Sequence, residues 1–151
     1  MNFPIFIDAN IPIYAAGRSH SLKEPCTQIL LLVARYPGRF VSDAEVVQEL
    51  LHRYMALGLY EQGRDVIRRF ANVLQDRIES VNVDDVVSAM TLADRIRGLS
   101  ARDLIHLSIM TRLGVDAIVS ADHGFSNISG VNWFDPGDLN TWQRNVSSSR
   151  S

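Results

Sequence analysis

Four carboxylates stand where a side chain with a chemical task is commonly found: Asp8, Glu49, Asp103 and Asp122. Asp8 follows directly on the apolar run of Phe3, Ile5, Phe6 and Ile7, and Asp122 follows closely on Ala117-Ile118-Val119. Each run is too short for a helix and rich in β-formers, so each reads as a buried strand with an acid at its carboxyl end. Glu49 and Asp103 fall in the first turns of later helical patterns. In a parallel sheet all carboxyl ends share one edge, and the four acids converge there. Converged carboxylates repel, by about 4 kcal/mol for a unit pair some 4 Å apart in an effective dielectric near 20, so a cation must accompany them. No cluster of His or Cys stands with them in the sequence, which argues against zinc. Hard oxygen donors suit Mg²⁺ or Mn²⁺, ions that promote in-line hydrolysis at phosphorus without a Ser or Cys nucleophile.

The elements that must position these acids follow in order. After the first strand, Ile11, Ile13, Tyr14 and Ala15 start a short helix that Pro12 enters at its first turn. A second helix runs from Leu22, with Cys26, Ile29, Leu30 and Val33 on its apolar side, until Pro37-Gly38 stops it. Arg39-Phe40-Val41 reads as the second strand. Ser42 and Glu45 have capping-box spacing ahead of a helix carrying Val46, Val47, Leu50, Leu51 and Tyr54. Capping explains Glu45 but not Glu49, which lies one turn deeper on the same face; an ion pair with Arg53 is the structural alternative for Glu49.

Gly58 ends that helix, and Tyr60 to Leu74 forms the next, with Arg64, Arg68 and Arg69 on its solvated side. Ile78 to Val83 alternates as a third strand. Asp84 to Ile96 is helical, with Val86, Val87, Met90, Leu92 and Ala93 toward its buried side. Ser100 and Asp103 repeat the capping-box spacing before Leu104, Ile105 and Leu107, so Asp103 suits a cap as well as a site. His106, on the next turn, reads as a packed histidine or one that orients a neighbour, rather than as a metal ligand. Val131 to Phe134 is the last strand and Pro136 to Trp142 a terminal turn or helix. These patterns predict one α/β domain over residues 1–144, with a mostly parallel sheet of about five strands flanked by helices, and a serine-rich disordered tail over 145–151.

Composition bounds the function. The 151 residues are 46% hydrophobic with a net charge of −2, the profile of one soluble domain without the basic excess of a general nucleic-acid coat. The single Cys26 cannot form an internal disulfide and sits in an apolar helical pattern, as in a reducing compartment. No apolar stretch approaches the roughly 20 residues of a membrane span, and Met1 to Asn10 lacks a basic region before its apolar run, so the expected location is the cytoplasm.

Two other phosphoryl-transfer designs also place an Asp after the first strand. A haloacid-dehalogenase-like phosphatase needs D-x-D, but the second position is Asn10; both it and a response-regulator receiver need a downstream lysine, and Lys23 is the only lysine in the chain.

The stretches FIDANIPIYA around Asp8, EVVQELLHRY around Glu49, SARDLIHLSIM around Asp103 and IVSADHGF around Asp122 resemble, in order and over nearly the whole chain, the PIN-domain ribonucleases, in particular the VapC-like toxins of toxin–antitoxin pairs. The resemblance implies a metal-dependent endoribonuclease in which Asp8, Glu49, Asp103 and Asp122 bind Mg²⁺ or Mn²⁺, with Asn10 and Ser120 as hydrogen-bonding neighbours. Ser120 stands where many members have Thr, and His123-Gly124 replaces the commoner acidic pattern after the last Asp. The resemblance further implies an RNA substrate, a homodimer and a small antitoxin that blocks the site. A non-catalytic PIN-like module, using the acidic crevice only to bind a partner, is the alternative.

Overall fold

The computed structural model describes residues 3–148. At its centre lies β1 (Ile5–Ile7), with every residue buried. On one side β1 pairs with β2 (Phe40–Asp43), which pairs with the two-residue β3 (Ile78–Glu79); on the other it pairs with β4 (Ala117–Val119), followed by β5 (Asn132–Phe134). Every pairing is parallel. The chain thus winds outward from β1 in both directions, and in such sheets the crevice at the carboxyl ends beside the reversal is the natural ligand site. The register of Ile7 on Val119 brings Asp8 beside Ser120, each the residue that follows its strand.

Seven helices cover the sheet among the described residues: α1 (Asn10–Ala16), α2 (Lys23–Arg35), α3 (Ala44–Ala56), α4 (Tyr60–Leu74), α5 (Val83–Arg95), α6 (Ala101–Leu113) and α7 (Leu139–Ser148). The α2 face of Cys26, Ile29 and Val33 is buried as its spacing predicts, and burial pushes the Cys26 thiol up to about 12, leaving it an inert packing group. Leu50 and Tyr54 of α3 and Val66, Phe70 and Leu74 of α4 join the same core.

The structure corrects four expectations. Ser42 does not cap α3: it is still in β2, fully buried, and its hydroxyl donates to the Ile7 carbonyl at 2.9 Å. The cap is Asp43, whose Oδ1 accepts the Val46 N–H at 2.9 Å, so Glu45 lies too early to reciprocate. The third strand is confined to Ile78–Glu79, because α5 takes over at Val83. The face of α5 is also rotated from the one expected. Asp85 and Ala89 are buried, whereas Val87 and Met90 are 55% and 67% exposed. Polar anchoring sets that rotation: Arg112 of α6 donates to both Asp85 oxygens at 2.9 and 3.1 Å, and Ser108 donates to the Asp85 carbonyl at 2.7 Å. Finally, the stretch from Asn145 to Ser148 expected in the tail is the end of α7, with Val146 buried; residues 149–151 of the expected tail lie outside the described residues.

Candidate metal centre

Asp8 is buried at the carboxyl end of β1, and its two oxygens are separately fixed. Oδ1 accepts the Ala9 N–H at 2.8 Å, and Oδ2 accepts the Ser120 hydroxyl at 2.6 Å and the Asn10 amide at 3.4 Å. Asn10 opens α1 and ties that helix to the loop after β4. Its amide donates to Ser120 Oγ at 3.1 Å, while its Oδ1 accepts the Ala121 N–H at 3.0 Å. A carboxylate so bonded is held in one orientation with lone-pair capacity still facing the crevice.

Glu49 arrives from the second turn of α3, half-buried. The cation beside it is Arg102 of α6 at 4.0 Å, and not Arg53, the ion-pair alternative that the i,i+4 spacing offers. Burial and then the charge of Asp8 raise the Glu49 pKa, partly offset by Arg102 and His106. Asp103 completes the capping box read from its sequence: its N–H donates to Ser100 Oγ at 3.2 Å and its Oδ2 accepts the Ser100 N–H at 3.4 Å. Its pKa is raised in the same way, by burial and then by Asp8, with a further contribution from Asp122 and an opposing one from the Ser100 hydrogen bond. Burial and the charge of Asp8 outweigh Arg102 and His106 at Glu49, and outweigh His106 and the Ser100 hydrogen bond at Asp103, so both carboxyls resist ionisation.

Asp122 lies at the exposed rim. Its Oδ1 accepts the Gly124 N–H at 2.8 Å, capping the short turn His123–Phe125, while its own N–H donates to Ser120 Oγ at 3.0 Å. The tightest grouping contains a residue that the sequence reading set aside. Asp8, Glu49 and His106 each offer a ligand atom, and these atoms lie within 4.8 Å of one another. His106 is fully buried, tilted against Phe6 with ring centres 5.1 Å apart, and bonded through Nδ1 to Asp43 Oδ2 at 2.7 Å. Its Nε2 has no hydrogen-bond partner and faces Asp8 Oδ1 at 3.8 Å. Burial alone would push the His106 pKa down; the Asp43 hydrogen bond and charge, with Asp8 and Asp103, override it and hold the ring above the ordinary histidine value.

The expected acids therefore do not form one uniform cluster. Asp8 and Glu49 stand in the tight group with His106, Asp103 shares their field, and Asp122 guards the rim. Asp43 was hidden in the sequence by the Ser42 pattern, although Asp is itself among the best N-caps. The donor set fits a divalent cation: fixed carboxylate oxygens, two acids whose pKa burial and the charge of Asp8 raise, and a buried nitrogen that makes no hydrogen bond.

Comparison with known proteins gives the chain its family and its fold. The PIN domain family profile matches residues 5–131. The chain is 36% identical over 122 residues to the ribonuclease VapC23 of Mycobacterium tuberculosis, covering 79% of this chain and 93% of the relative. It is 33% identical over 127 residues to the ribonuclease VapC13 of the same organism, covering 84% and 96%. Its fold matches a chain of a toxin–antitoxin complex from Klebsiella pneumoniae with a TM-score of 0.61 at 16% identity, covering 87% of this chain and 97% of that one.

Proposed function

The chain belongs to the PIN domain family, among the VapC ribonucleases, and we propose that it is a metal-dependent endoribonuclease acting as the toxin of a toxin–antitoxin pair. The observation that carries the chemistry is the fixed Asp8 carboxylate at the reversal point of the sheet, with the ligand atoms of Glu49 and His106 within 4.8 Å of it and of each other. In this reading Asp8, Glu49, Asp103 and Asp122 hold Mg²⁺ or Mn²⁺, and Asn10 and Ser120 lock Asp8 in its binding orientation. When bound, the cation polarises the phosphodiester and stabilises the leaving oxygen of an in-line hydrolysis. Arg102, at the mouth beside Glu49, moderates the negative field that an RNA backbone meets on approach.

The partners are an RNA substrate, a second copy of the chain and a small antitoxin. Exposed apolar surfaces support the protein partners: Val83, Val86, Val87 and Met90 on α5, and Met55, Leu57, Leu59 and Tyr60 at the junction of α3 and α4. The proposed location is the cytoplasm; among the described residues no helix is long and apolar enough to cross a membrane.

Brief induction in cells, with growth recorded and RNA ends sequenced, tests the reading. Wild type should arrest growth and leave new RNA ends, and Asp8→Ala should do neither. Harmless expression of abundant, folded wild-type protein would refute the toxin role.

A further inference from the structure

Resting on the proposal that the Asp8 crevice holds a divalent cation, we infer that His106 is a direct nitrogen ligand of that cation through Nε2, with Asp43 as the carboxylate that orients it. The site would then be a mixed nitrogen–oxygen site, selective for Mn²⁺ over Mg²⁺.

Geometry carries the assignment. Nδ1 of His106 is committed to Asp43 Oδ2 at 2.7 Å, so Nε2 is the only ring nitrogen that can face another group. Nε2 is buried and makes no hydrogen bond, its recorded contact being the charge of Asp8, and a buried polar atom left without a hydrogen bond in a native fold calls for an explanation. At 3.8 Å from Asp8 Oδ1 it is too far for a hydrogen bond. That separation suits two donors on one cation: with bonds of about 2.1–2.2 Å, neighbouring donors lie roughly 3–4.3 Å apart. The carboxylate–histidine–cation chain is also the usual way an imidazole ligand is fixed, because the carboxylate selects the tautomer and raises the basicity of the far nitrogen. Asp43 is itself immobilised, since its other oxygen caps α3 at Val46.

The cation takes the Nε2 lone pair, and any proton on that nitrogen passes to solvent. Mg²⁺ prefers oxygen ligands and retains its water, whereas imidazole suits later divalent ions, so one nitrogen donor tilts the site toward Mn²⁺.

The test is pulsed EPR of the Mn²⁺-loaded full chain, read as electron spin-echo modulation from directly bound nitrogen. The other histidines, His20, His52 and His123, are all exposed, so a variant with all three changed to Ala leaves only His106. Both wild type and this variant should show imidazole nitrogen modulation, and labelling with ¹⁵N-histidine should alter it. His106→Gln should lose the modulation, and Asp43→Asn should weaken Mn²⁺ binding about tenfold. Mn²⁺ bound without nitrogen modulation, or modulation lost in the triple-Ala variant, overturns the His106 assignment while leaving the carboxylate site standing. Failure of wild type to bind Mn²⁺ at all overturns both.

Discussion

Asp43 holds the Nδ1 nitrogen of His106 at 2.7 Å through one carboxylate oxygen while the other closes the N-terminus of α3. The same side chain therefore fixes the helix that carries Glu49 and the ring that faces Asp8. Its two roles separate by substitution. Asp43→Asn keeps a good cap but loses the charge, whereas Asp43→Ala loses both, so Ala should be less stable than Asn by about 1 kcal/mol in urea melts at neutral pH. Equal stability of the two variants would mean that the cap bond contributes nothing.

Glu45 and Glu49 share a face of α3 and should behave differently. Glu45 sits in the first turn, where its charge meets the positive helix end; Glu45→Gln should lose well under ~1 kcal/mol and keep most activity. Glu49→Gln preserves shape but removes a charge beside Asp8, and RNA cleavage at saturating Mn²⁺ should fall at least about tenfold. Rate assays and melting curves on both variants check the pair, and an inactive Glu45→Gln beside a normal Glu49→Gln would place the ligand one turn earlier.

Gly63 of α4 packs directly against Tyr54 of α3. A Cβ there would overlap Tyr54, reaching within 2.7 Å of its Cγ. Gly→Ala inside a helix ordinarily stabilises by roughly 0.5–1 kcal/mol; here overpacking of about 1–3 kcal/mol should win, and the melting temperature of Gly63→Ala should fall. A rise would show that the two helices separate freely.

Much of this design is legible in the sequence, because strand ends and capping patterns are local. Asp8 and Asp122 announce themselves by following apolar runs, and the Ser100–Asp103 box forms as its spacing requires. What is not legible depends on contacts remote in sequence. Ser42 has the pattern of a cap, but the pairing of β2 with β1 and its bond to Ile7 keep it in the strand. His106 gains its role from Asp43, in another element altogether. The inward face of α5 is set by Arg112 gripping Asp85, which no apolar periodicity announces.

That grip gives a pH prediction. The Arg112 hydrogen bond holds the Asp85 carboxyl below its ordinary value against the opposing effect of burial. A folded pKa below the unfolded one contributes stability above the unfolded value, which is lost as pH falls through the folded value. Arg112→Met should therefore cost about 2 kcal/mol at neutral pH, and the gap from wild type should close as acid protonates Asp85. Urea melts of both proteins across the acid range check it; a gap that does not change with pH would remove the ion pair as its cause.

The most direct test of the central claim is cleavage of RNA by the purified protein with its cation removed and restored. Cutting should proceed with Mn²⁺, stop in EDTA, return when Mn²⁺ is added in excess, and be absent at every step in folded Asp8→Asn. Undiminished cleavage in EDTA, or by Asp8→Asn, would contradict a reaction built on a cation held at Asp8.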